Sequence, residues 1–193
     1  PNIPQYNVDY PAYVAEYQNL KEKYADKINL KLGMEFGLQI HTIPQYQKLF
    51  NSYPFDFIIM SCHQVENKEF WTQEFQQGRS QDEYNQRYYD EILAQVKNYR
   101  DYSVLGHLDL IARYDKAGIY PFAKIRDKIA EILKIVIADD KGIELNTSSV
   151  RYKIHNAQGE HELTPSKEIL ALYKELGGRI ITTGSDSHKP EHL

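Results

Sequence analysis

Phe55-Asp56-Phe57-Ile58-Ile59-Met60-Ser61-Cys62-His63 is a nearly continuous apolar run that ends on a histidine. It is too short for a globular helix and reads as a buried strand. Working outward, Leu30 to Leu38 alternates, with Leu30, Leu32, Met34 and Phe36 on one face and Lys31, Gly33, Glu35 and Gly37 on the other. Between these two strands the spacing predicts a helix over Pro44 to Asn51. Before them it predicts one from about Val8 to Asp26, started by Asp9 and Pro11.

The pattern continues after His63. Glu66 to Arg79 reads as a polar and aromatic loop, and Asp82 to Tyr99 as a helix with Tyr88, Ile92 and Val96 on one stripe. Ser103 to Asp109 is then a short strand. Pro121 to Ala138 is a helix with Ile125, Ile129, Ile132 and Val136 at core spacing, stopped by Gly142, and Ile143 to Thr147 is a strand. Thr164-Pro165-Ser166 opens a helix through Leu176, closed by Gly177-Gly178, and Arg179 to Gly184 is the last strand. Strands alternating with helices predict an α/β fold with a parallel sheet, either doubly wound or a barrel. No linker or repeat interrupts the chain, so a single domain over residues 1–193 is expected.

Composition narrows the function classes. The chain has 193 residues, 41% hydrophobic and 26% charged, which excludes disorder and collagen-like repeats. With 23 Lys plus Arg against 27 Asp plus Glu the net charge is −4, which argues against a nucleic-acid partner. No apolar run is long enough to cross a bilayer, so no membrane partner is expected. The single cysteine, Cys62, cannot form an internal disulfide, and a reducing, cytoplasmic location follows as the expectation. Oligomeric state is not readable from the sequence.

In parallel α/β folds the chemistry gathers at the carboxyl ends of the strands. The ionisable residues in or just after the predicted strands are Glu35, His63, His107 with Asp109, Glu144, and Asp186 with His188. Each alone has an ordinary structural use, as an edge residue, a hydrogen-bonded core histidine or a turn former. Together they place imidazole or carboxylate at the end of strand after strand, and such a set suits Zn²⁺, Fe²⁺ or Mn²⁺. Glu144 shares its strand face with Asn146 and Ser148, which fits either a substrate contact or a group supporting the ligands. Other signatures are missing: there is no Walker A loop, dinucleotide fingerprint, Gly-x-Ser-x-Gly elbow or His-Glu-x-x-His. Lys68 stands where a cysteine-dependent phosphatase based on Cys62 would carry its arginine.

Gly33-Met34-Glu35, Ser61-Cys62-His63, Gly106-His107-Leu108-Asp109 and Gly184-Ser185-Asp186-Ser187-His188 resemble the later motifs of the polymerase and histidinol phosphatase (PHP) superfamily. Phe75-Gln76-Gln77-Gly78-Arg79-Ser80 with the Tyr-rich helix after it, and Glu144-Leu145-Asn146-Thr147-Ser148-Ser149-Val150-Arg151, are similar to its histidinol-phosphate phosphatase branch. The resemblance implies a distorted (β/α)7 TIM-like barrel holding two to three divalent metal ions (Zn, Mn or Fe). It implies that Glu35 bridges two metals, His63 and His107 complete the second, Asp186 ligates the first and His188 the third. Arg151 resembles the family's phosphate-gripping arginine, whose planar fork suits phosphate oxygens.

The implied reaction is hydrolysis of L-histidinol phosphate to L-histidinol and phosphate, in histidine biosynthesis, by a metal-activated hydroxide. The partner is then a small phosphorylated substrate, with Arg151 and Glu144 as binding residues and Asp186 or a site histidine as the acid for the leaving alkoxide. The aromatic residues of the Glu66 to Tyr89 region are expected to close over it as a lid. Alternatives are another PHP-type phosphoesterase, acting on protein-tyrosine or nucleotide phosphates, and a non-catalytic remnant that serves in binding. The family's opening His-x-His strand has no counterpart here, and the chain runs from Pro1 to Leu193. The expectation is a barrel truncated at both ends, lacking its first strands and last helix.

Overall fold

A computed structural model describes residues 8–148 and 164–192. Five parallel strands form one sheet: β1 (Gly33–Gly37), β2 (Phe57–Ser61), β5 (Val104–Leu105), β6 (Gly142–Asn146) and β7 (Ile181–Gly184), side by side in chain order. β3 (Gln64–Val65) and β4 (Lys68–Glu69) make a small antiparallel hairpin after β2. The helices are α1 (Tyr10–Lys23), α2 (Ile43–Ser52), α3 (Gln81–Asn98), α4 (Arg126–Ala138) and α5 (Lys167–Glu175). Among the described residues β1 and β7 are the edges of the sheet. The α/β class and the parallel sheet are as expected from the alternation; closure into a barrel is not seen in this sheet.

The starts of the helices follow from local chemistry. Asp9 accepts the Ala12 N–H at the first turn of α1, with Pro11 beside it. Ser80 and Glu83 exchange hydrogen bonds as a capping box on α3. Ser166 caps α5, and Gly177, at φ +88°, takes the left-handed turn that ends it.

Register assigns the two faces of the sheet. Phe36 pairs with Met60, Met60 with Leu105, and Leu105 with Ile143, so these side chains share the face that packs on the helices. The stripes Tyr88, Ile92 and Val96 of α3 and Ile129, Ile132, Leu133 and Val136 of α4 complete that core. The opposite face carries Gly33, Glu35, Gly37, Ser61, Glu144, Asn146 and Gly184, with Phe57, Ile59 and Val104 toward the other end of the strands. The change of face along each strand therefore separates packing from chemistry.

Two elements differ from the sequence reading. β5 is only Val104–Leu105: the Gly106 N–H still donates to the Met60 main-chain oxygen at 2.8 Å, and the chain then turns through His107 into a 3₁₀ segment at Leu110–Tyr114. The aromatic residues of the Glu66 to Tyr89 region do not form the expected lid in this structure: Phe70, Phe75, Tyr84, Tyr88 and Tyr89 are buried in the core, with Phe70 edge to face against Phe75 and Tyr88. Burying those rings anchors the stretch to the core. Replacing Ile129 with Ala, inside the α4 stripe, should lower the unfolding free energy by about 2–5 kcal/mol, read as a reduced urea midpoint at unchanged slope.

Candidate metal centre

The parallel register brings the functional side chains together because they lie on, or just beyond, neighbouring strands on one side of the sheet. Glu35 points from the centre of β1 onto the polar face, His63 follows β2 and His107 follows β5. Glu35 Oε1 lies 3.2 Å from His63 Nε2 and 3.0 Å from His107 Nε2, and the two ring nitrogens are 3.1 Å apart. Three donors around a divalent ion with bonds of about 2.0–2.1 Å stand roughly 3 to 3.5 Å from one another. The triangle fits such an ion. A carboxylate oxygen and two neutral imidazole nitrogens are also the donor types that a divalent transition metal takes.

Electrostatics favour the anion on Glu35. Burial pushes its carboxyl up, but the hydrogen bonds and charge of His107 and His63 outweigh that and hold it far below the usual carboxylate range. Ser61 Oγ, fully buried, donates a further hydrogen bond of 2.6 Å to Glu35 Oε1. His63 stands over Gly37: a Cβ there would come 2.9 Å from His63 Nδ1. The glycines that flank Glu35 therefore have different duties, since a Cβ at Gly33 would meet Phe57 O at an ordinary 3.4 Å.

A cavity of about 250 Å³ opens on this cluster, lined by Glu35, His63, Trp71, His107, Leu110, Arg113, Tyr114, Asp186 and His188. Asp186 and His188 thus reach the same cavity from the end of β7, though outside the tight triangle. Asp186 takes a positive φ of 52°, and His188 Nδ1 approaches the Asp186 main-chain oxygen at 3.0 Å. Asp109 turns elsewhere, accepting the Ser166 N–H at 2.8 Å at the start of α5. Glu144 lies beneath the cavity, buried, accepting the His107 N–H at 3.1 Å. Arg151 lies outside the described residues.

One residue escaped the sequence reading. Arg113, on the 3₁₀ segment after His107, has an almost wholly enclosed side chain that lines the cavity. Its Nη1 stands 3.7 Å from Asp186 Oδ2 and its Nη2 donates to Ser148 Oγ at 3.0 Å. The signal was available in His107-Leu108-Asp109-Leu110-Ile111-Ala112-Arg113, where the arginine trails a strand-end histidine by a short helical turn. Trp71, exposed, meets Tyr114 edge to face at 6.3 Å and forms an aromatic wall.

A family model described as the PHP domain matches residues 5–148. A histidinol-phosphatase of Lactococcus lactis subsp. lactis (strain IL1403) is 31% identical over 188 residues, covering 95% of this chain and 66% of that protein. A probable histidinol-phosphatase of Clostridium acetobutylicum is 27% identical over 188 residues, covering 96% and 69%. The crystal structure of the Lactococcus lactis histidinol phosphate phosphatase, complexed with zinc, L-histidinol and phosphate, superposes with a TM-score of 0.78 at 30% identity, covering 94% of this chain and 68% of that one. A putative histidinol phosphatase from Listeria monocytogenes shares the fold, with a TM-score of 0.81 at 20% identity over 96% and 73% of the two chains. The chain spans about two thirds of the length of these relatives.

Two outcomes check the centre. Gly37→Ala should weaken zinc binding about 10–100-fold by displacing His63, while Gly33→Ala leaves it unchanged, both measured by competition with a chelating dye. The depressed Glu35 carboxyl contributes stability that is present above its ordinary titration range and lost as pH falls below it. In chelator, the stability advantage over Glu35→Gln should therefore shrink from about pH 5 to about pH 3; an advantage independent of pH would show that the imidazoles do not hold the carboxylate.

Proposed function

Because the chain belongs to the PHP domain family, we propose that it hydrolyses L-histidinol phosphate to L-histidinol and phosphate, a step of histidine biosynthesis. The observation that carries this reading is the Glu35, His63 and His107 triangle opening on a cavity that also holds a guanidinium and a further carboxylate and imidazole. The Lactococcus lactis relative, bound to zinc, histidinol and phosphate, supports it. The parallel strands in chain order, with β1 and β7 at the edges among the described residues, suit part of a distorted (β/α)7 barrel, formed as one domain across the chain.

Glu35, His63 and His107 would hold one divalent ion, and Asp186 and His188, at the other side of the cavity, would help hold one or two more, zinc, manganese or iron. Bound there, such ions supply acidified water and neutralise charge on phosphoryl oxygens. Arg113 holds the phosphate in this reading: it lines the cavity, and a guanidinium matches two phosphate oxygens at once. Arg151 is a second phosphate-gripping residue in this reading. In this reading Asp186 or a site histidine gives the departing alkoxide its proton. The Trp71 and Tyr114 wall suits the flat imidazole and the ammonium of the alcohol.

A second reading, hydrolysis of protein-tyrosine or nucleotide phosphates, uses the same groups. Histidinol phosphate should be turned over faster than phosphotyrosine peptide or nucleoside monophosphate with added zinc or manganese, and chelator should abolish turnover. Arg113→Met and Arg151→Ala should each lower kcat/KM for histidinol phosphate by about 10²-fold or more. Unchanged kcat/KM in either variant removes that arginine from the site, and a preference for another phosphate replaces the substrate.

A further inference from the structure

We infer that Glu144 is a positioning residue that sets the metal ligand His107 through its main chain. The inference rests on the metal-site reading of Glu35, His63 and His107 and not on the phosphatase activity.

Glu144 has an unusual seat for a carboxylate. It is 4% exposed, on the polar face of β6, beneath the cavity and not among the residues that line it. Its Oε2 accepts the His107 N–H at 3.1 Å and faces the Asn146 amide at 3.4 Å. Both neighbouring strands make room for it with glycine. A Cβ at Gly184, at the end of β7, would lie 2.0 Å from Glu144 Oε1 and 3.0 Å from its Cδ. A Cβ at Gly106 would lie 3.6 Å from Oε2 and only 2.5 Å from Ser61 Oγ. The carboxylate is therefore wedged between the strand end that leads to His107 and the strand end that leads to Asp186.

The ring of His107 explains why this grip matters. A metal-bound histidine is ordinarily oriented by a hydrogen bond from its second ring nitrogen. Here His107 Nδ1 is buried with no hydrogen-bond partner among the described residues. The ring is not fixed from that side, so its place beside Glu35 and His63 depends on where the backbone of residue 107 is held. Glu144 supplies that hold, and Ser61, seated on Gly106 with its hydroxyl on Glu35, does the corresponding task for the carboxylate. The glycines at 106 and 184 are the space these two polar side chains occupy.

Reach and charge can be separated. Glu144→Gln keeps the length and an acceptor oxygen but removes the charge; Glu144→Asp keeps the charge but cannot reach the His107 N–H. Zinc affinity, measured by chelator competition on folded protein, should stay within about threefold of the natural chain for Glu144→Gln and fall about 10–100-fold for Glu144→Asp. Gly184→Ala, which evicts the carboxylate, should weaken zinc like Glu144→Asp, and urea midpoints in chelator show whether each variant is folded. If Glu144→Asp fails to fold, Gly184→Ala decides alone. Natural zinc affinity in Glu144→Asp and Gly184→Ala overturns the inference, as does loss with Glu144→Gln but not Glu144→Asp. Unchanged zinc affinity with a raised KM for histidinol phosphate would make Glu144 a substrate contact instead. Loss of zinc as predicted in a protein inactive on histidinol phosphate would leave this inference standing and sink only the proposed substrate.

Discussion

Parallel pairing in the register that sets Gly37 beside Ser61 and Asn146 beside Gly184 is the constraint on which the rest depends. A parallel ladder carries every strand in the same direction, so all the carboxyl ends meet along one edge. Residues that follow β2, β5 and β7 then converge without any single loop having to reach far. A slip of one residue in β1 would turn Glu35 into the helix-packed core and bring Phe36 or Met34 to the polar face. Gly37 would leave its place beneath His63 in the same step. The apolar contacts of Phe36 with Tyr46 and Phe55 oppose that slip, so packing on one face fixes the geometry on the other.

A polar layer inside a sheet is costly unless its members satisfy one another. Ser61, Glu144, Asn146 and Ser148 are all buried here. Ser61 donates to Glu35, Glu144 accepts from the His107 main chain, and Asn146 Oδ1 accepts the Ser148 N–H. Each of these bonds ends on a group that lines the cavity or supports one that does. Removing a single partner leaves a buried donor or acceptor behind, which costs about 1–3 kcal/mol. The layer therefore resists change as a unit and holds the ligands before any ion arrives.

Much of this was legible in the sequence where one residue pattern met one physical demand. The alternation of Leu30 to Leu38 placed Glu35 and the two glycines on the open face, and the β1 register agrees. His63 and His107 stood out because they follow apolar strands, and both belong to the triangle. Arg113 was missed because a survey of strand ends stops at Asp109, while the 3₁₀ segment carries the next turn back over the cavity. Asp109, which the same survey also picked out, accepts the Ser166 N–H at the start of α5. The stretch 66–79 misled because its glutamines and charges conceal two core phenylalanines.

Those glutamines also explain why the aromatic wall is a fixed surface. Gln73 Nε2 donates to the main-chain oxygens of Phe70 and Tyr114, at 2.9 and 2.8 Å, and Gln76 Nε2 to Phe70 at 3.1 Å. Asp115, next to Tyr114, accepts from Tyr84, Asn85 and Gln81 of α3 and from the Ala117 N–H. The loop that carries Trp71 and the segment that carries Arg113 and Tyr114 are thus sewn to each other and to the longest helix. A lid must exchange such bonds for water whenever it opens, and a buried Phe70 and Phe75 would be exposed in the same motion. The main chain that carries the wall is held by these bonds, so less conformational freedom remains to be lost there when a ligand binds.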